Sequence, residues 1–343
     1  MKPEDSERLL ITELFDNSKE RVEELKKVSV RDVNKLTGDA STRRYYRIET
    51  DQDSFVSCLS EVKESVESSD FLNVQNVLNT NGVRVPRIID QNITKGYMLQ
   101  EDLGNQTFLS HISTKVSAEE IYSEYKKVID SLIQIHEIKR DSTFNWGKLE
   151  FDVEKFLFEM NFTKKYFLNL FLKTELTEKE ELIYEKQVTQ LVKEISKKDK
   201  VLTHRDFHSR NIMVKGDEFI YIDFQDARQG IPQYDLVSLL EDCYFELEDE
   251  NVDKLKKYYF DNFLVKNSKD QATYAEFERM YDLMTIQRVF KAIGSFSYIF
   301  EKRGDIRYVK YIGYAFEKVR NKLKHFPEYN ALYSLLMKIY YES

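Results

Sequence analysis

The sequence predicts an α+β chain of two lobes, a small strand-rich one over residues 1–103 and a larger helical one over 104–343. Three observations carry this. Only 10 glycines and 4 prolines fall among 343 residues, about 4% where an average chain carries about 12%, so elements are long and rarely interrupted. Short β-like stretches crowd into the first hundred residues. Beyond them, 148–215 and 233–293 contain neither Gly nor Pro, the texture of long helices. The same scarcity excludes collagen-like, linker-rich and sandwich architectures.

In chain order, 4–27 reads as one or two amphipathic helices broken near Asn17-Ser18, and 28–36, 45–49 and 55–59 read as strands. A helix over 71–78, stopped by Asn81-Gly82, separates them from strands at 85–89 and 97–100 around a turn at Lys95-Gly96. After Gly104, Ser117-Ala118-Glu119-Glu120 is a capping box opening a helix to about Ile138, and Thr177-Glu178-Lys179-Glu180 opens another. One β-like hairpin, 211–214 and 219–222 around Lys215-Gly216-Asp217, interrupts the helices.

Composition narrows the function. The chain has 52 basic and 60 acidic residues, net −8, mixed along its length, which predicts no phosphate-backbone footprint and no nucleic-acid partner. Its 22 Tyr and 23 Phe against 1 Trp are a bias of composition rather than a base-stacking platform. Cys58 and Cys243 lie in apolar surroundings, as buried free thiols do in a reducing compartment. The polar start, Met1-Lys2-Pro3-Glu4-Asp5, and the absence of an 18-residue apolar run predict a cytoplasmic protein without membrane association or an obligate protein partner. No glycine falls in a dinucleotide fingerprint or a Walker loop.

The hairpin region holds the chemistry. His204-Arg205-Asp206-Phe207-His208-Ser209-Arg210-Asn211 fits H-R-D-x-x-x-x-N, and Asp223-Phe224 closes the hairpin. Phosphoryl transfer needs a carboxylate beside the acceptor hydroxyl and oxygen ligands that hold Mg²⁺ against the phosphates. Asp206 is the candidate for the catalytic carboxylate, and Asn211 and Asp223 for the metal ligands. His204 is expected to pack under the loop, while His208 and Arg210 lie within it and can reach substrate or phosphate. A rival hydrolytic metal cluster of His204, Asp206, His208 and Asp223 leaves Asn211 and the hairpin unexplained.

Residues 201–240 resemble the catalytic core of the aminoglycoside phosphotransferase superfamily, whose fold is protein-kinase-like. Thr37-Gly38-Asp39-Ala40-Ser41-Thr42-Arg43-Arg44-Tyr45-Tyr46-Arg47, Leu99-Gln100-Glu101-Asp102-Leu103-Gly104, Asp223-Phe224-Gln225-Asp226-Ala227 and Tyr234-Asp235-Leu236-Val237-Ser238-Leu239-Leu240 resemble its bacterial N-acetylmuramate/N-acetylglucosamine anomeric kinases of cell-wall sugar recycling. The resemblance runs in order from about residue 35 to 320. It implies ATP as phosphoryl donor, with adenine on the backbone of Glu101 and Leu103, Asp102 between them. It also implies a loop whose Ser41, Thr42 and Arg43 or Arg44 cover the triphosphate, and an Asp235 that supports the catalytic loop.

Three departures stand out. The third-strand lysine of kinases has no equivalent in 55–59, Lys63 being nearest. Asp-Phe-Gly becomes Asp223-Phe224-Gln225. Asp223 and Asp235 lie too close for a peptide-binding activation segment, which predicts a small-molecule acceptor, a sugar. Arg288 and Lys291, three apart on a helix, are expected to receive an anionic group such as a lactyl carboxylate, and Asp226 and Arg228 to bind sugar hydroxyls. The alternatives are an aminoglycoside or amino-alcohol acceptor, with Glu246, Glu248, Asp249 and Glu250 as a polycation site, or a nucleotide-binding scaffold without catalysis.

Overall fold

The structure, a computed structural model, describes residues 3–36, 43–60, 69–267 and 273–342. They form two compact units, Met1–Gln106 with Met213–Gln225, and Thr107–Ile212 with Asp226–Ser343.

In the first unit α1 (Pro3–Lys19) is one helix, followed by a 3-10 turn at Glu23–Leu25. Strands β1 (Val30–Leu36), β2 (Arg44–Thr50) and β3 (Ser54–Leu59) precede α2 (Asp70–Thr80), β4 (Ile88–Asn92) and β5 (Tyr97–Glu101). The sheet order is β1-β2-β3-β5-β4, antiparallel throughout. Strand alternation sorts its faces. Tyr46, Ile48, Phe55, Leu59, Tyr97 and Leu99 join Ile11, Leu14 and Phe15 of α1 in one core. Tyr45 pairs with Cys58 and Arg47 with Val56 in register on the other face.

The fourth strand starts at Ile88 rather than 85. Pro86 has no N–H for the ladder, so Val83 and Val85 are buried outside the sheet. The turn before β5 depends on Gly96 (φ 65°). A Cβ there would meet the Ser60 carbonyl oxygen at 2.2 Å.

The second unit begins with α3 (Phe108–Ile112), α4 (Ala118–His136) and α5 (Asn145–Lys148). Next come α6 (Val153–Thr163), which runs into a π-helical segment at Lys164–Phe171, and α7 (Glu178–Ile195). The capping boxes at Ser117/Glu120 and Thr177/Glu180 form, and Thr273/Glu276 adds a third. Strand β6 (Val201–Thr203) leads into the loop that carries Asp206, and β7 (Ile212–Lys215) and β8 (Glu218–Tyr221) form the hairpin. After it, β9 (Arg228–Gly230) pairs antiparallel with β6.

Helices α8 (Gln233–Leu240), α9 (Asp249–Tyr259) and α10 (Val265–Asn267) precede α11 (Tyr274–Arg303), α12 (Ile312–Leu323) and α13 (Asn330–Glu342). Helix α11 is the axis of this unit, packed against α6, α7, α8 and α12. Its Gly294 is required. A Cβ there would lie 2.3 Å from Thr163 Oγ1 and 2.8 Å from Thr163 Cα of α6. Cys58 and Cys243 are both free and buried, and no described helix is long and apolar enough to cross a membrane.

Candidate active site

The loop between β6 and β7 is held by buried carboxylates of the second unit. Asp235, fully buried on α8, accepts from the His204 N–H at 2.6 Å and the Arg205 N–H at 3.0 Å. His136 Nε2 lies 3.7 Å from the same carboxylate, and its Nδ1 meets the Tyr259 hydroxyl at 2.6 Å. Asp242 accepts from the Ser209 N–H at 3.0 Å and from its hydroxyl. Buried backbone N–H groups must be paired, and here Asp235 of α8 and Asp242 just beyond its end do it.

This bracing sustains an unusual backbone. Among the described residues, Lys173, Arg205 and Asp223 are the non-glycines with positive φ, at 53°, 83° and 64°. Two of the three belong to the motif. Such positions cost on the order of 1–3 kcal/mol each and persist where the surroundings over-determine them. Arg205 is fixed by Asp235 through its N–H and by Asp226, 2.6 Å from its guanidinium.

Asp206 is the centre of a cluster of charges. Its Oδ1 accepts from Arg288 Nη2 at 3.2 Å and Lys291 Nζ at 3.3 Å, both from α11. Arg288 is further fixed by the Ser238 hydroxyl at 2.9 Å. Burial by itself would raise the Asp206 carboxyl, but Lys291, Arg288, Arg205 and His208 overcome it and hold the group well below the usual carboxylate range. Burial lowers the Lys291 ammonium despite Asp206. Arg288 and Lys291, expected to receive a substrate anion, are paired with Asp206 in this structure. One turn apart on a helix, two cations converge on one part-buried carboxylate.

The other loop residues are placed as follows. Asn211 donates from its amide nitrogen to the Asp206 carbonyl at 3.0 Å. His204 is buried against the Phe207 ring at 5.6 Å. His208 lies edge-on to Tyr244 at 5.4 Å, and the Arg210 guanidinium sits 4.8 Å from the Tyr244 ring and 5.5 Å from Tyr308. Asp226 is half-exposed between Arg205 and Arg228 (4.0 Å), with Arg228 over Phe151. Among the described residues, no three His, Cys, Asp or Glu side chains form a metal-holding group, so the hydrolytic cluster has no geometric support. Glu250 of the acidic run pairs with Lys254 at the surface of α9.

In the first unit, Asp223 follows β8 and accepts from Gln225 Nε2 at 2.7 Å, while Phe224 packs on Phe71 of α2 at 4.8 Å. Ser41, Thr42 and Lys63 lie outside the described residues. Arg43 and Arg44 part company. Arg44 turns to α1 and pairs with Glu7 at 3.2 Å. Arg43 lies 5.4 Å from the Phe71 ring, in an open recess whose walls include Tyr45, Cys58, Met98 and Gln100.

The segment after β5 is anchored by two acids. Glu101 takes a bidentate pair from Arg84 (2.6 and 2.8 Å) and the Arg87 N–H at 2.7 Å. Asp102 accepts from Arg47 Nη2 at 2.9 Å, Ser54 at 2.7 Å and the Gly104 N–H at 2.9 Å. Leu103, half-buried between them and Gly104, is thereby fixed in the chain. Lys215 of β7 donates to the Asp102 carbonyl at 2.8 Å. The sequence reading missed Arg47, Asp242 and His136. Of these, Arg47 alone left a signal, a charge at an alternating position of a strand.

A family model described as phosphotransferase enzyme family matches residues 32–277, which include the loop, the hairpin and Asp235. The chain belongs to this family. The phosphotransferase is 29% identical over 308 residues to an N-acetylmuramate/N-acetylglucosamine kinase of Neisseria meningitidis, covering 90% of each chain. A kinase of the same name from Pseudomonas putida is 26% identical, with 88% of this chain and 87% of the relative covered. Among solved structures, a choline kinase from Cryptosporidium parvum has a TM-score of 0.61 at 13% identity, covering 94% and 99%. An aminoglycoside phosphotransferase, APH(2")-IIa in complex with gentamicin, has 0.60 at 15%, covering 90% and 95%. These two likenesses show a shared protein-kinase-like fold, in which the five-stranded sheet is the small lobe and the helical unit the large one.

Proposed function

We propose that this phosphotransferase moves the γ-phosphoryl group of ATP to the anomeric hydroxyl of N-acetylmuramate or N-acetylglucosamine, with Mg²⁺. The observation that carries the reading is the match over most of both chains to kinases of that name, joined to a loop carboxylate, Asp206, held ionised by two cations of α11.

In this reading the acceptor hydroxyl attacks the γ-phosphorus, a new O–P bond forms, and the bond to ADP breaks. The hydroxyl proton passes to Asp206 as that bond forms and is then released to solvent. A hemiacetal hydroxyl is more acidic than an ordinary alcohol, so a weakly basic carboxylate that orients it and takes its proton late is sufficient.

Asn211 and Asp223 would hold Mg²⁺. Their amide and carboxylate oxygens are the hard donors it prefers, and Asn211 is held in the loop through its amide nitrogen, which donates to the Asp206 carbonyl. When bound, the metal neutralises charge on the phosphates. Adenine would meet the backbone of Glu101 and Leu103, and Arg43 would face the phosphates with Ser41 and Thr42. His208, Arg210, Asp226 and Arg228 would line the acceptor side. A polycationic acceptor suits this surrounding poorly, because Arg205, Arg288 and Lys291 already crowd Asp206.

The test is ADP release with ATP, Mg²⁺ and a panel of amino sugars, amino alcohols and aminoglycosides. N-acetylated amino sugars should drive release, and Asp206→Asn should lower kcat by about 10²-fold or more. Turnover with an aminoglycoside alone, or ATP binding without any turnover, would overturn the reading.

A further inference from the structure

The face of the five-stranded sheet turned away from the α1 core carries rows of side chains set by the register. Tyr45, Cys58 and Met98 stand side by side on β2, β3 and β5, and Arg47, Val56 and Gln100 form the next row. The second row adjoins 101–103, where adenine would lie, and the first is two residues further along the strands, about 7 Å. Protein kinases take a cation for the phosphates from the third strand. On this face β3 offers Val56 and the thiol of Cys58, whose ionisation burial pushes up.

The cation stands instead at the start of β2. Arg43, Tyr45 and Arg47 alternate onto the same face. Arg47 is bound to Asp102 and the Gly104 carbonyl, whereas Arg43 lines the open recess together with Tyr45, Cys58, Ser60, Ser69 and Met98. Its guanidinium lies 5.4 Å from the ring of Phe71, within the range at which a cation is attracted to a ring face. Phe71, 6% exposed in the first turn of α2, also meets the ring of Phe224 at 4.8 Å. Phe224 is fully buried and directly follows Asp223, whose backbone is left-handed at φ 64°. All of these residues belong to the first unit. One ring thus touches the recess cation on one side and, on the other, the residue that anchors the candidate metal carboxylate. Core packing accounts for the Phe224 contact but not for a guanidinium held against the same ring at an open recess, where it could as well stand in water.

We infer that Arg43 supplies the charge on the nucleotide phosphates that the third strand lacks, and that Phe71 is a positioning residue that sets this guanidinium and the Asp223 carboxylate at a fixed spacing. An aromatic bridge then takes the part that an ion pair between strand lysine and helix glutamate plays in protein kinases. The inference rests on the nucleotide use proposed above and goes beyond it by naming how phosphate cation and metal ligand are held together.

The test is calorimetric titration with ATP, with and without Mg²⁺, of wild type, Arg43→Ala, Phe71→Leu, Phe71→Tyr and the Arg43→Ala/Phe71→Leu double variant, with melting temperatures alongside. It needs no acceptor, so it stands apart from the sugar question. Arg43→Ala should weaken ATP binding about tenfold or more in both conditions. Phe71→Leu, which keeps apolar bulk and loses the ring, should weaken it about threefold or more and shrink the gain in affinity that Mg²⁺ brings, while Phe71→Tyr stays near wild type. Without Mg²⁺ the double variant should bind ATP as Arg43→Ala does, because Phe71 acts through the guanidinium. Wild-type ATP affinity in Arg43→Ala, additive losses in the double variant, an unchanged Mg²⁺ gain in Phe71→Leu, or a lower melting temperature of that variant with unchanged ATP affinity would each overturn the inference and leave the sugar-kinase reading in place. A wild type that binds no ATP would overturn both; ATP binding without turnover of any sugar overturns the reading alone.

Discussion

Arg288 and Lys291 decide between two kinds of recognition. If they received a substrate anion, replacing either would raise KM for an acidic sugar and spare a neutral one. Their contacts go to Asp206, so their loss removes what holds that carboxylate ionised and oriented. Arg288→Ala and Lys291→Ala are therefore expected to lower kcat on acidic and neutral sugars alike, by tenfold or more, with smaller changes in KM. Paired kinetics on N-acetylmuramate and N-acetylglucosamine measure this. The candidate loop itself was legible beforehand, because Asp206, Asn211 and Asp223 have chemical reasons for their types and spacing. What Arg288 and Lys291 bind was not, since helical spacing gives the face a side chain shares but not the element it packs on.

At the scale of elements, long helices announced themselves through missing Gly and Pro and through capping boxes, and the strands through alternation. The fourth strand was misplaced where Pro86 let apolar residues be buried without joining the ladder. The short β9 and the π-helical run after α6 depend on tertiary pairing and carry no local pattern. Helix α11 joins both lessons. Its Gly294 permits close contact with Thr163 of α6, and it carries Arg288 and Lys291 two turns or less away. Gly294→Ala should push the two helices apart, costing about 1–3 kcal/mol as overpacking does, and should lower kcat through the displaced cations. A lowered urea midpoint with an unchanged slope, alongside kinetics, reports it. Greater stability, from the better helix propensity of Ala, would mean that the contact relaxes freely.

The whole molecule combines a net charge of −8 with a local concentration of cations around Asp206. The first unit is discontinuous in sequence. Its hairpin strands are tied back by Val214 N–H to the Gln106 carbonyl at 2.8 Å, Tyr221 N–H to the Arg84 carbonyl at 2.9 Å, and Lys215 to Asp102. During synthesis, a ribosome that has made residue 106 must add about 120 more before residue 225 exists, on the order of ten seconds at usual elongation rates. For that interval the carbonyls of Arg84, Asp102 and Gln106 wait for donors not yet translated. Nascent chains arrested before the hairpin emerges should be cut by protease within residues 84–106 more readily than chains arrested after it. Equal protection in both would mean that the five-stranded sheet and its flanking segments fold without the hairpin. The order of translation thus makes the small unit start first and finish late, a schedule imposed by where thirteen residues sit in the gene.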